Sequence, residues 1–338
     1  MEREKLEEAS SSLKDRSLEK MKKKFKISKP KGKLGVLIPG IGGAVSTTFI
    51  AGIESYKQGS GKLFGSLSQM GTIRIGKRTE KNTPYIKDLI DLANIEDLEF
   101  FGWDVYPQDC YKATIKAGVL DRTLIDSLKD KLERIKPNKA VFNKKFAENL
   151  SGKNIKKESN YFKLALELIA EIKAFKKEKN IDRLVMIWCG STEIFFKKGR
   201  IHENIKGFED ALRKNHKGIS PSMIYAYAAI KCGAAYANGA PNLSVDIPAL
   251  EKLSKKNNVP IAGKDFKTGQ TLMKTILAPG IKSRLLGLNG WFSTNILGNR
   301  DGEVLDNPKN FKTKEESKLS VLEHIFQPEI NQELYGDF

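Results

Sequence analysis

Two groups of residues in this sequence have the types and spacing of working parts. The first is Pro39-Gly40-Ile41-Gly42-Gly43-Ala44-Val45, a glycine-rich turn between an apolar run and a helix-forming stretch. There Gly40 permits a tight reversal and Gly42 lets backbone approach a pyrophosphate with no side chain between. The helix that follows aims its free N–H groups and positive dipole end at the phosphate. Ser46, Thr47 and Thr48 add hydroxyls to its first turn. A standard dinucleotide fingerprint reads GxGxxG, whereas the last small residue here is Ala44 or Ser46, so the loop alone also reads as a plain strand-to-helix turn. Gly102-Trp103-Asp104 closes a second apolar run. Asp104 is therefore placed to reach a ribose or cofactor edge, or else to cap a helix or a strand-end turn.

The second group is cationic. Residues 263–274 (Gly263-Lys264-Asp265-Phe266-Lys267-Thr268-Gly269-Gln270-Thr271-Leu272-Met273-Lys274) mix lysines, hydroxyls and glycines ahead of an apolar helix. Lys267 and Lys274 are seven apart, so a helix spanning both would put them on one face. Lys314 and Lys318 are four apart, again one helical face. Several lysines together suit a phosphorylated substrate, each giving a mobile point charge and three donors. A lysine that is buried or crowded by cations has a lowered pKa and can shuttle protons, and an aspartate can hold it in place. Any one of these lysines also reads as a solvated surface residue, and the set does not by itself name a reaction.

Such groups need a frame. Leu34-Gly35-Val36-Leu37-Ile38 reads as a buried parallel strand and residues 45–56 as the helix after the turn. Residues 98–104 contain another strand, and Ala140-Val141-Phe142 is a loop or short strand. Residues 159–178 form a long amphipathic helix, 183–189 a strong buried strand, and 221–237 an alanine-rich helix. Strands alternating with helices at this spacing predict an α/β fold with a parallel sheet covered on both faces. Residues 1–32 form a charged arm with helix-forming composition and no sustained apolar face.

At 338 residues the chain can bury one large core or two. It has no apolar run of the roughly 20 residues that cross a bilayer and no apolar signal core near its start, so a cytoplasmic protein is expected, with no membrane partner. Cys110, Cys189 and Cys232 are widely spaced without a CxxC pair and are expected as free thiols. His202, His216 and His324 form no HxxxH-type pair, so no metal site is assigned, though a cation near a phosphate stays open. The net charge of +18 draws anions in general. Much of it lies in lysine-rich stretches without regular interleaving of aromatics or a zinc-finger or RNP-type signature, which argues against a nucleic-acid partner.

Taken together, these segments resemble the myo-inositol-phosphate synthase family. The resemblance rests on residues 40–45, Gly102-Trp103-Asp104, Ser191-Thr192-Glu193, Tyr236-Ala237-Asn238-Gly239-Ala240-Pro241-Asn242 and residues 265–274. It continues through residues 295–302, whose core is LGNxDG, and residues 314–318, and covers roughly 33–338 in order. It implies a Rossmann-type NAD-binding domain over 33–240 and a second α+β catalytic and oligomerisation domain over 241–338, in a homotetramer. NAD would oxidise carbon 5 of glucose 6-phosphate; the ketone acidifies carbon 6, the enolate attacks the aldehyde at carbon 1, and NADH reduces the ketone to give myo-inositol 3-phosphate. An enolate and an alkoxide need positive charge in a dry site, and the steps need proton shuttles.

The resemblance thus assigns Lys267, Lys274 and Lys314 to phosphate binding and acid–base work, with Lys318 and Lys282 as lesser candidates. Asp265 orients a lysine, and Asn295 and Asp301 shape the site. Cofactor contacts fall to Gly40, Ile41, Gly42, Gly43, Ala44, Val45, Asp104, Ser191, Thr192, Asn238 and Gly239. Related sequences usually carry Asn where this one has Ser191, and usually continue past the segment matching Tyr335-Gly336-Asp337-Phe338, so a carboxy-terminally truncated copy is expected. Two other readings stand beside the synthase: another NAD-dependent sugar-phosphate dehydrogenase, and an inactive nucleotide-binding copy.

Overall fold

A computed structural model describes residues 30–292 and 300–326 and the backbone of Tyr335–Asp337. Nearly all of the expected arm lies outside these residues, as does Asn295. The chain divides into two compact units, one of residues 1–32 and 62–97, the other of 33–61 and 98–338. Within the first, two four-residue helices, Leu67–Met70 and Ile86–Leu89, accompany an antiparallel bridge between Thr72 and Tyr85.

The second unit is built on a six-stranded sheet. In chain order its strands are β1 (Lys33–Pro39), β2 (Leu98–Asp104), β3 (Asn138–Lys139), β4 (Ile181–Trp188), β5 (Ala235–Asn238) and β6 (Ile261–Gly263). Every pairing is parallel and the spatial order is β3-β2-β1-β4-β5-β6. This is the doubly wound order in which ligands bind at the carboxyl ends of the strands, where the winding reverses between β1 and β4. The sheet takes β6 from beyond residue 240. A parallel sheet is covered on both faces, and β1 accordingly buries its last five residues in succession.

Helix α1 (Ala44–Lys57) follows β1 and α2 (Cys110–Ala117) follows β2. Helix α3 (Tyr161–Glu178) starts where the Asn160 side chain accepts the Lys163 N–H. Helix α4 (Pro221–Lys231) starts at Pro221 behind the Ser220 cap and buries its first ten residues. A helix buried all round is a core element. The alanine-rich helix expected over 221–237 therefore ends early. Gly233 takes φ +72° and its amide and that of Ala234 return to the Ile230 and Ala229 carbonyls, releasing the chain into β5. Near β3, Ala140 makes only an isolated bridge to Ile155.

Beyond β6 come α5 (Gln270–Ser283), α6 (Asp301–Leu305) and α7 (Pro308–Ile325), with a small parallel pair of β7 (Gly290–Phe292) and β8 (Tyr335–Asp337). Helices α5 and α7 share an apolar contact through Ala278, Leu322 and Phe326. Among the described residues no helix is long and apolar enough to cross a membrane, and the three cysteines are free thiols.

Candidate active site

The glycine loop sits at the switch point. Gly40 has φ +86°, and a Cβ there would stand 2.6 Å from the Cys189 carbonyl oxygen at the end of β4. Only glycine fits both the backbone and the space. The Gly40 and Ile41 amides donate to the Trp103 carbonyl at 2.8 and 3.3 Å, and Gly43 donates to Gly40 at 3.0 Å. The Gly42 amide donates to Asp104 Oδ2 at 2.9 Å, and Tyr106 donates to Oδ1 at 3.0 Å. Asp104 is thus first a brace for the loop, and burial raises its carboxyl above the ordinary value against the pull of those amides.

The hydroxyls expected to face a phosphate do something else. Ser46 Oγ donates to the Gly40 carbonyl at 2.8 Å and Thr47 Oγ1 to the Gly43 carbonyl at 2.9 Å, and both residues are buried. Ile41, expected at the cofactor, is fully buried with its side chain packed near Gly102. It is an apolar peg that fastens the loop to the sheet. The amides of Ala44, Val45 and Ser46, the first three residues of α1, remain as the helix's outward donors.

A cavity of about 270 Å³ opens beside this loop, with Gly40, Val45, Asp104, Ser191, Tyr225 and Asp301 among its walls. Its size and its mixed apolar and polar lining suit part of a nucleotide. Trp188, another wall residue, has a buried Nε1 with no hydrogen-bond partner among the described residues. Arg300 also lines it, its guanidinium 3.6 Å from the centre of the Tyr106 ring and its Nε 3.7 Å from Glu303. The glycine cradle, the three helix amides and this cavity fit a dinucleotide such as NAD.

Ser191 and Thr192 lie on the strap that leaves β4. Ser191 lines the cavity and its carbonyl accepts from Asn242 Nδ2 at 3.4 Å. Thr192 is buried, and its carbonyl accepts from Asn310 Nδ2 at 2.7 Å. The next residue, Glu193, is buried and accepts from the Ser222 amide and hydroxyl at 2.9 and 2.6 Å. Burial pushes its carboxyl up to about 7 even though those donors hold it down. At the end of β5, Asn238 binds within its own turn, donating to the Asn242 carbonyl and accepting from Ala240. Gly239 leaves room for the Phe266 ring, which a Cβ would approach to 2.4 Å.

That packing places Asp265. Its amide donates to the Asn238 and Ala240 carbonyls, each at 3.1 Å, and its carboxylate holds Lys314 Nζ at 3.0 Å. Lys274 from α5 is fully buried and donates from Nζ to the Lys318 carbonyl at 3.0 Å. Desolvation, reinforced by the nearby Lys318 charge, lowers Lys274 to about 8. Lys318 is lowered by desolvation and by Lys314, against Asp265 and Asp301. Loss of hydration raises Asp301, opposed most by Lys314. Because Asp301 also lines the cavity, the cofactor crevice and the lysine cluster adjoin.

The structure brings Lys274, Lys314, Lys318, Asp265 and Asp301 together. It leaves Lys267 and Lys282 apart: both are exposed and their side chains make no hydrogen bond or ion pair among the described residues. Lys267 does not share a helix with Lys274, because α5 begins only at Gln270, after Gly269 with φ +54°. Sequence reasoning passed over Arg300, Asn310 and Thr313. Arg300 stands at the variable position of the LGNxDG core. The other two are polar residues on a helix rich in polar residues, with nothing in their spacing to mark them as buried.

Comparison with known proteins agrees with this geometry. An NAD-binding family model described as myo-inositol-1-phosphate synthase matches residues 34–309. Inositol-3-phosphate synthase 1 of Bacteroides thetaiotaomicron is 49% identical over 315 residues, which are 93% of this chain and 73% of that protein. Inositol-3-phosphate synthase of Brassica napus is 31% identical, covering 89% of this chain but 62% of its own length. The crystal structure of inositol-3-phosphate synthase from Caenorhabditis elegans superposes with a TM-score of 0.84 at 28% identity, covering 91% of this chain and 64% of that one.

Proposed function

The chain belongs to the myo-inositol-1-phosphate synthase family, and on that premise we propose that it converts glucose 6-phosphate to myo-inositol 3-phosphate with NAD held at the glycine loop. The observation that carries the reading is the join between the two groups. Asp301 lines the cofactor cavity and lies within the charge field of Lys314 and Lys318. A sugar phosphate bridging them would meet oxidising power at one end and cations at the other.

NAD, when bound, supplies the oxidant at carbon 5 and later the reductant. Every other task falls to the chain. The Ala44, Val45 and Ser46 amides hold a pyrophosphate at the head of α1. Lys314 Nζ, fixed by Asp265, and Lys318 neutralise phosphate and developing oxyanion charge from half-buried positions. Lys274, lowered to about 8, gains and loses a proton at Nζ near neutral pH, as the oxidation and enolisation steps require. The sheet supplies the cofactor half, and the segment from residue 241 onward the lysines, with β6 shared between them. The same reading carries a homotetramer in the cytoplasm, and sedimentation at micromolar protein checks the assembly.

The deciding experiment supplies glucose 6-phosphate with catalytic NAD and follows inositol phosphate by ³¹P NMR and NADH by absorbance. Product without accumulating NADH is the expected result. NADH accumulating stoichiometrically without cyclised product would replace the synthase with a dehydrogenase. Bound NAD with neither signal would mean a nucleotide-binding protein without turnover.

A further inference from the structure

Helix α7 docks with a polar stripe. Asn310, Thr313 and Ser317, spaced by three and four residues, are buried along one face, where a docking helix ordinarily presents apolar side chains. Each reaches a different fixed acceptor. Asn310 Nδ2 donates to the Phe146 carbonyl at 2.8 Å and the Thr192 carbonyl at 2.7 Å. Thr313 Oγ1 donates to the Glu193 carbonyl at 2.8 Å. Ser317 Oγ donates to Asp265 Oδ2 at 3.4 Å.

The acceptors are themselves held from behind. The Glu193 amide donates to Asn242 Oδ1 at 2.7 Å, its carboxyl is tied to Ser222, and the Phe195 amide returns to the Lys309 carbonyl at 3.0 Å. Apolar burial is non-directional and tolerates small slides of a helix. A hydrogen bond tolerates only a few tenths of an ångström before it weakens.

We propose that the Asn310–Thr313–Ser317 stripe is a register device: positioning residues that fix the axial and rotational setting of α7. Through it they fix the Lys314 and Lys318 ammonium groups against Asp265 and the cofactor crevice. The proposal takes the lysine cluster as the reaction centre, as above. A slip of α7 moves Lys314 off Asp265 and removes the Lys318 carbonyl from Lys274. Because two of the acceptors, the Thr192 and Glu193 carbonyls, belong to the strap that walls the cavity, the lysines are registered to the cofactor crevice.

The test uses the full chain with Thr313→Val, which keeps the side-chain volume and removes the hydroxyl, and Thr313→Ser, which restores it. Turnover at saturating glucose 6-phosphate should fall about tenfold or more in Thr313→Val, since small misplacements of catalytic groups cost that much. NAD affinity should stay within about twofold and Thr313→Ser should recover most of the rate, because the helix N-terminus and the hydroxyl respectively are kept. Pulse labelling of amines with acetic anhydride, read by peptide mass spectrometry, gives an activity-free readout. Lys274 is fully buried in the parent and should label several times faster in Thr313→Val. Lys156, whose side chain is 7% exposed and paired with Glu171 elsewhere in the unit, should not change. Parental turnover and parental Lys274 labelling in a folded Thr313→Val would overturn the proposal, and so would Lys156 labelling rising in step. If the parent itself makes no product, the proposed function falls, and the labelling alone decides the register.

Discussion

The glycine loop and the lysine cluster stand at the same edge of one sheet and treat their polar groups in opposite ways. In the loop the amides of Gly40 to Gly43 and the hydroxyls of Ser46 and Thr47 all find acceptors within the loop or on β2 and Asp104. It is shaped before any ligand arrives. In the cluster Lys314 and Lys318 face Asp265 and Asp301, and Lys274 adds a third ammonium against the Lys318 carbonyl, an excess of cations in a partly desolvated place. Burial of charge without matching countercharge costs stability. The loop is preorganised by its own bonds, whereas the cluster holds its charge ready for an anionic substrate.

The comparison breaks most sharply at Lys274. Lys274→Met keeps an unbranched apolar stem and removes the buried ammonium. Turnover should drop by roughly 10²- to 10⁴-fold, the range associated with loss of a positioned acid or base. Thermal stability should hold or rise, because the desolvated charge is gone. Rate and melting temperature measured on the same preparation decide it: a variant that keeps its turnover would move the proton chemistry to another residue.

At the loop the opposite pattern is expected. Gly40→Ala forces φ +86° on a residue with a Cβ and drives that atom into the Cys189 carbonyl. Stability should fall by roughly 2–4 kcal/mol, the sum of backbone strain and overpacking. NAD affinity should fall with it, while Lys274 stays protected from amine labelling. Chemical denaturation and NAD titration measure both. An Ala variant as stable as the parent would mean the loop is not tied to β4 in the way its contacts indicate.

A smaller effect belongs to Asp104. Asp104→Asn keeps one acceptor oxygen but turns an amide donor toward the Gly42 or the Tyr106 N–H. NAD should bind roughly tenfold more weakly, on the scale of one lost charge-assisted hydrogen bond. Calorimetry reads this directly, and unchanged affinity would reduce Asp104 to a strand-end turn.

The same contrast explains what could be read in advance. The strands that frame the glycine loop, β1, β2 and β4, are short runs rich in apolar residues, and that local signal is strong. The glycine loop carries its purpose in its own composition, so Gly40 and Gly42 were legible. Ile41 was not, because the side-chain direction of one residue in a turn depends on what lies behind it. The lysine cluster is assembled from α5, α6 and α7 and the turn after β6, over residues 265–318. Periodicity put Lys314 and Lys318 on one face correctly. It failed for Lys267, since Gly269 with φ +54° starts the helix three residues too late. Asn310 and Thr313 were invisible: a polar residue on a mostly polar helix reads as solvated until the strap it docks on is known.

The last contrast is the pH dependence of stability, and its sign separates the cluster from the strap that joins it to the loop. Lys274 sits at about 8 in the folded chain against an ordinary 10.5, so between those values the unfolded chain holds the extra proton. Lys274 therefore contributes stability that grows with pH across that window, against the raised thiols of Cys110, Cys189 and Cys232, and Lys274→Met should lower the slope relative to the parent. Glu193 sits at about 7 against an ordinary 4.5, so the folded chain holds the extra proton between them. Its contribution is complete below about 4.5 and is lost as pH climbs to about 7. Glu193→Gln, which keeps the shape and cannot ionise, should reduce the fall there and leave the alkaline limb as in the parent. Melting temperatures taken from pH 4 to 11 on the parent and both variants test the two windows at once. Were the alkaline slope of Lys274→Met to match the parent's, the buried ammonium would contribute nothing to it, and the cluster would be no more strained than the loop.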